Sequence, residues 1–187
     1  MARTKIVLAG EGGHGIQSVA KILVEAGYAA DKNVLYIPNF GVEQRGGVSI
    51  AFCQIADEEI GEPRFSKGDI VIMLSDRAID RCSTYVDENT TVIYDSSICN
   101  TKPEMKAKEI IALPANKIAH DELSSRVFNI IILGAVIKAT DVIELKYVKE
   151  AMELALGKKF AVKPELRELN HKALEKGMEL IQAKAAV

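Results

Sequence analysis

Four short runs of this chain are apolar almost without interruption: Ile6-Val7-Leu8-Ala9, Ile70-Val71-Ile72-Met73-Leu74, Thr91-Val92-Ile93-Tyr94 and Ile110-Ile111-Ala112-Leu113. A strand that alternates polar and apolar residues keeps one face in water. A strand without alternation is buried on both faces, the condition of a parallel sheet covered by crossover helices. Val34-Leu35-Tyr36-Ile37 supplies a fifth strand. Between the first run and this one, Ile16, Val19, Ala20, Leu23, Val24 and Gly27 recur at three- and four-residue steps, the stripe of a helix packed on a sheet. Strand, glycine loop, helix and strand make a βαβ unit.

The pattern predicts an α/β fold: a Rossmann-like, mostly parallel sheet with flanking helices, formed as a single domain over residues 1–187. One stretch departs from it. Val48 to Ala56 is strand-like and is followed by the polar, turn-rich Asp57-Glu58-Glu59-Ile60-Gly61-Glu62-Pro63, which predicts an antiparallel excursion as a hairpin or an edge ribbon. Beyond Pro114 the spacing predicts helices near 116–123, 127–139, 144–156 and 165–183, with Pro164 suited to the first turn of the last.

Composition excludes several classes of function. The 187 residues carry 24 Lys+Arg against 26 Asp+Glu, a formal net charge of −2, and 48% are hydrophobic. Phosphate-backbone binding needs clustered excess cation, so no nucleic-acid partner is expected. No membrane association is expected either, because the longest greasy stretch, residues 127–139, contains Asn129 and Lys138 and is shorter than the ~20 residues of a span. The N-terminus runs from Met1-Ala2-Arg3-Thr4-Lys5 into a short apolar stretch that ends at Gly10, without the core of a secretory signal. Cys53, Cys82 and Cys99 are odd in number and widely spaced, with no CxxC pair for zinc or an iron–sulfur cluster. A cytoplasmic location fits this usage, and no metal site is expected.

Gly10-Glu11-Gly12-Gly13-His14-Gly15 follows a buried strand and opens an amphipathic helix, in register with GxGxxG. Such a loop needs glycine where the backbone turns sharply or where a neighbour approaches too closely for a Cβ. The N–H groups at the helix start could also hold an anion. A dinucleotide site would add an acidic residue about 20 positions on, at the end of the second strand. That region reads Leu35-Tyr36-Ile37-Pro38-Asn39-Phe40, with no carboxylate. A stand-alone nucleotide-dependent dehydrogenase is therefore disfavoured. A plain βα turn, contact with a partner subunit, and an anion- or metabolite-binding module stay open.

The second notable loop is Pro38-Asn39-Phe40-Gly41-Val42-Glu43-Gln44-Arg45-Gly46-Gly47, in which a proline and glycines frame a compact Glu-Gln-Arg cluster. Arg45 offers a rigid fork of donors suited to carboxylate or phosphate. An ordinary turn with Arg45 paired to Glu43 is the competing reading.

Five segments in this order resemble the gamma subunit of the 2-oxoacid:ferredoxin oxidoreductases. They are Gly12-Gly13-His14-Gly15, Glu43-Gln44-Arg45-Gly46-Gly47, Leu113-Pro114-Ala115, the stretch from Asn129 to Gly134, and Asn170 with Ala173 and Gly177. The resemblance covers nearly the whole chain and departs at His14, where the family more often carries glutamine. It implies a CoA-dependent oxidative decarboxylation of a 2-oxoacid to an acyl-CoA by a multi-subunit complex. That complex uses thiamine diphosphate, Mg, iron–sulfur clusters and coenzyme A, and passes electrons to ferredoxin. The implied partners are alpha and beta subunits and a ferredoxin-like subunit or domain. This chain has neither cluster cysteines nor a Gly-Asp-Gly thiamine motif, so its implied role is architectural, with no catalytic residue of its own. Gly10, Gly12, Gly13, Gly15 and Arg45 are then candidates for contact with a partner or coenzyme A. His14, Asn39, Glu43, Gln44, Gly46 and Gly47 are candidates for the partner interface. Alone, such a subunit should be inactive, and it could self-associate as a homodimer.

Among the remaining features, the segment Val127–Ile137 is apolar nearly all round and reads as a helix buried on more than one side, either central to the domain, the favoured reading, or at a subunit interface. Asn129 within it needs a hydrogen-bond partner, and capping of a neighbouring loop is expected. His120-Asp121-Glu122 lacks metal-ligand spacing. Leu166, Leu169, Ala173, Gly177, Leu180 and Ile181 form a stripe expected to pack on the sheet.

Overall fold

A computed structural model describes residues 3–40 and 47–185. Six strands form one mixed sheet: β1 (Thr4–Glu11), β2 (Asn33–Asn39), β3 (Val48–Ala56), β4 (Ile70–Met73), β5 (Thr91–Asp95) and β6 (Glu109–Leu113), in the order β2-β3-β1-β4-β5-β6. β1, β4, β5 and β6 run parallel, whereas β3 is antiparallel to both β1 and β2. The expected antiparallel excursion is present, but it is not an edge ribbon. β3 lies inside the sheet, and β2 is the edge. The reason is burial: β3 is apolar on both faces, with Ala51, Cys53 and Ile55 on one side and Val48 and Ile50 on the other, whereas β2 is only half-buried. The βαβ unit is real, with β3 slotted between its two strands.

Among the described residues six α-helices flank the sheet: α1 (Ile16–Ala29), α2 (Asp76–Cys82), α3 (Ala115–Glu122), α4 (Phe128–Thr140), α5 (Leu145–Val162) and α6 (Glu165–Ala185). Alternate residues of the central strands divide between two cores. Ile6, Leu8, Ile72 and Ile93 face α1 and α3–α6; Val7, Ala9, Val71, Met73 and Val92 face α2. The short α2 escaped the sequence reading. Its signal is a Ser75 N-cap, whose hydroxyl accepts the Ala78 N–H at 3.2 Å, followed by the buried Ala78, Ile79 and Cys82.

α4 is buried from Ile130 through Ile137, as expected of a central helix. Its outer side is covered by α6, so the α6 stripe meets α4 and not the sheet. The approach is backbone to backbone. A Cβ on Gly134 would stand 2.0 Å from the Leu174 carbonyl oxygen, and one on Gly177 would stand 2.0 Å from that of Ile131. Asn170, nearly buried on α6, folds back to donate to the Leu166 carbonyl at 2.7 Å. No helix among the described residues is long and apolar enough to cross a membrane.

Candidate functional site

The C-terminal ends of β1, β2, β4, β5 and β6 share one rim with the start of β3. The register fixes this, since Glu11 pairs with Val48, Gly10 with Ser49, and Asn39 with Ile50. The glycine loop therefore leaves the sheet beside the strands that flank the second loop. Glu43, Gln44, Arg45 and Gly46 lie outside the described residues, while Asn39 and Gly47 bracket them at this rim.

Each glycine of the first loop has its own setting. Gly10 ends the strand where a Cβ would meet His14 Nδ1 at 2.9 Å and Leu74 Cβ at 3.2 Å. Gly13 and Gly15 adopt φ of 100° and 72°, backbone that costs an L-residue about 1–2 kcal/mol. Gly15 also caps α1 directly beneath Asn129, whose side-chain amide would be 2.8 Å from an added Cβ. Asn129 thus packs on the loop where a capping hydrogen bond was expected. A Cβ on Gly12 or Gly13 would meet nothing within 4 Å among the described residues.

His14 folds back over the loop. Its Nδ1 accepts the Glu11 backbone N–H at 3.2 Å, and its ring meets Phe128 of α4 edge-on at 5.8 Å. Half-burial lowers its pKa, while the Glu11 and Asp95 carboxylates pull the other way.

Two anchors of the rim were not found from sequence. Gln17, in the first turn of α1, donates to Ser49 Oγ at 2.7 Å and to the Ile50 carbonyl at 3.1 Å, and accepts from the Tyr36 hydroxyl. It ties α1 to both strands that flank the second loop. Asp95 is fully buried at the end of β5. Its Oδ1 accepts from the Ser97 N–H at 2.7 Å, the Ser97 hydroxyl at 2.5 Å and the Ile98 N–H at 3.2 Å; Oδ2 accepts from the Asn116 N–H at 2.8 Å. A buried carboxylate so surrounded by donors is a brace, and it also meets the positive end of α3. The sequence signal was a lone acidic residue closing an apolar strand, Tyr94-Asp95-Ser96-Ser97. On the α2 side of the sheet, Asn39 borders a cavity of about 430 Å³ with Pro38, Phe52, Phe65, Tyr85 and Arg64.

The cysteines do not form a ligand set. Cys53 and Cys82 are buried in the two separate cores, and burial pushes both thiols up to about 12. Among the described residues no three His, Cys, Asp or Glu side chains stand together as metal ligands. The residues present therefore do not fit an iron–sulfur cluster. His120 is exposed and contacts Asp121, which is itself ion-paired to Lys117.

These features define an α/β domain with its loops gathered at the C-terminal rim of a mixed sheet, and without redox ligands among the described residues. Residues 5–180 match the family model of pyruvate ferredoxin/flavodoxin oxidoreductase, and the chain belongs to that family. Among its relatives, the 2-oxoglutarate synthase subunit KorC of Methanocaldococcus jannaschii is 33% identical over 158 residues, 82% of each chain. The ketoisovalerate oxidoreductase subunit VorA of Methanothermobacter thermautotrophicus is 28% identical over 94% of this chain, which spans only 36% of that longer relative. The keto/oxoacid ferredoxin oxidoreductase gamma subunit of Geobacter sulfurreducens superposes with a TM-score of 0.81 at 26% identity, covering 96% of this chain and 99% of that one. The 2-oxoglutarate:ferredoxin oxidoreductase of Magnetococcus marinus, solved with 2-oxoglutarate, coenzyme A and succinyl-CoA, shares the fold at a TM-score of 0.87 and 24% identity. The match covers 98% of this chain and 32% of that one. The chain is thus a gamma-type subunit of the 2-oxoacid:ferredoxin oxidoreductases.

Proposed function

We propose that this chain is a single-domain architectural subunit of a complex that oxidatively decarboxylates a 2-oxoacid to an acyl-CoA, and that its rim is the docking surface for the larger subunits. The observation that carries the reading is the β1–β3 register. It brings the glycine loop and the flanks of the second loop to adjacent strand ends. Gly12 and Gly13 leave bare backbone facing outward, where another chain or the pantetheine arm of coenzyme A can lie against peptide groups. Gly10 and Gly15 shape that backbone, and Asn39 and Gly47 frame it. Glu43, Gln44, Arg45 and Gly46 are assigned to the same contact, with Arg45 as the fork for a carboxylate or phosphate.

In this reading alpha and beta subunits and a ferredoxin-like subunit hold the thiamine diphosphate, Mg and clusters, and ferredoxin receives the electrons. The complex works in the cytoplasm; the isolated chain is inactive and can self-associate as a homodimer. That this domain matches only about a third of two longer relatives supports the need for further polypeptide around it.

Co-expression with candidate alpha and beta subunits tests the proposal. The expected result is a stable complex with oxoacid- and CoA-dependent ferredoxin reduction that is lost when this chain is omitted. A chain that purifies alone beside its neighbours, or that binds NAD at micromolar concentration by calorimetry, overturns it.

A further inference from the structure

The glycine loop closes around one imidazole. The Glu11 N–H donates to His14 Nδ1 at 3.2 Å, and the His14 N–H donates to the Glu11 carbonyl at 3.1 Å, so the two residues grip each other twice. A ring nitrogen that accepts a hydrogen bond carries no proton, so the neutral ring must hold its proton on Nε2. The surrounding residues make room for this placement. Only the missing Cβ of Gly10 leaves space for Nδ1, Gly13 supplies the left-handed turn that returns the chain, and Phe128 backs the ring edge-on.

We propose that His14 is a proton-sensitive latch: as the neutral Nε2–H tautomer its ring holds the Glu11 N–H, and once protonated it lets go of that N–H and leaves the loop held by the backbone bond alone. The imidazolium has a donor on both nitrogens, so protonation sets an N–H on Nδ1 against the N–H of Glu11, and neither can accept. Among the described residues the charged groups acting on the ring are Glu11 of its own loop and Asp95 at the end of β5; α4 presents the uncharged Phe128. Burial outweighs the two carboxylates and keeps the ring pKa below its ordinary 6.5. The sign follows. The folded chain takes up the proton later than the unfolded chain, so the latch is fully closed above 6.5 and opens as pH falls through the lowered value. The latch belongs to the chain itself; that its release weakens docking rests on the reading above.

Long-range proton–nitrogen NMR on the full chain tests the latch without any substitution. The expected result is the Nε2–H tautomer at pH 8, with a Glu11 amide whose shift follows the His14 titration below pH 6.5 and whose hydrogen-exchange protection falls at least tenfold across it. An Nδ1–H tautomer, or a Glu11 amide indifferent to that titration, overturns the proposal. His14→Asn keeps an acceptor near the Nδ1 position without a titrating group, and should hold the Glu11 amide constant from pH 8 to 5.5. A Glu11 amide that still titrates in this variant also overturns it. Partner affinity measured over the same range separates the two ideas. A drop in the parent chain that His14→Asn abolishes supports the link to docking, while a titrating latch with constant affinity sinks the docking role of the loop and leaves the latch standing.

Discussion

At the α4–α6 crossing, a Cβ on Gly177 would stand 2.0 Å from a backbone oxygen; at the rim, a Cβ on Gly12 would find none of the described residues within 4 Å. The two regions use the same residue type for opposite ends. In the crossing, glycine lets two helices touch through their backbones, and every neighbour is fixed. In the loop, Gly12 meets nothing among the described residues that a Cβ would disturb, and its backbone is exposed. Intermediate between them, Gly15 is held both by its positive φ and by Asn129. A glycine that packing demands points to the fold, and one that packing does not demand points outward.

The sharpest way to break this contrast is Gly177→Ala. Because the obstructing atoms are backbone, the helices must move apart, and the loss should reach the upper end of the about 1–3 kcal/mol of overpacking or exceed it, read as a fall in denaturant midpoint. A midpoint within error of the parent would show that the crossing is looser than described. Asp95→Ala is next. It strips a buried acceptor from donors at Ser97, Ile98 and Asn116, at a cost of about 2 kcal/mol, and selectively speeds amide exchange at the start of α3. Gly15→Ala forces an L-residue into the left-handed region against Asn129, for about 1–2 kcal/mol in thermal unfolding. Gly12→Ala should move stability by no more than about 0.5 kcal/mol while weakening assembly with the partner subunits at least tenfold by light scattering or pull-down titration. Intact assembly in that variant would remove the functional half of the comparison.

Much of the layout is legible in the sequence, for identifiable reasons. The runs Ile6–Ala9, Ile70–Met73 and Val92–Tyr94 lack any polar alternation and are buried on both faces, whereas Ile110–Leu113 forms the edge strand β6 and leaves Ile110 and Ala112 only half-buried, because no strand covers its outer side. The glycine loop falls between β1 and α1 as its register implied. What escaped depends on partners remote in the chain. Nothing local tells that β3 slots between β1 and β2, because insertion and edge pairing give the same local pattern; only the competition for burial decides it. The stripe on α6 was readable but its counterpart was not, since a helix stripe fits a sheet or another helix equally well. Gln17 looked like an ordinary polar residue in the first turn of a helix, and its role appears only once Tyr36 and Ser49 are brought beside it. Asp95 is partly local, since Ser97 and Ile98 follow it directly, but the donor that ties it to α3, the Asn116 N–H, comes from 21 residues away.

The placement of β3 also governs when the rim can exist during folding. β1 and β2 flank a single helix, yet neither pairs with the other; both pair with residues 48–56. Until that strand slides in, Glu11 has no neighbour at Val48 and the ends of the two loops are not held side by side. A partner that recognised the assembled rim would therefore bind only copies whose sheet is complete.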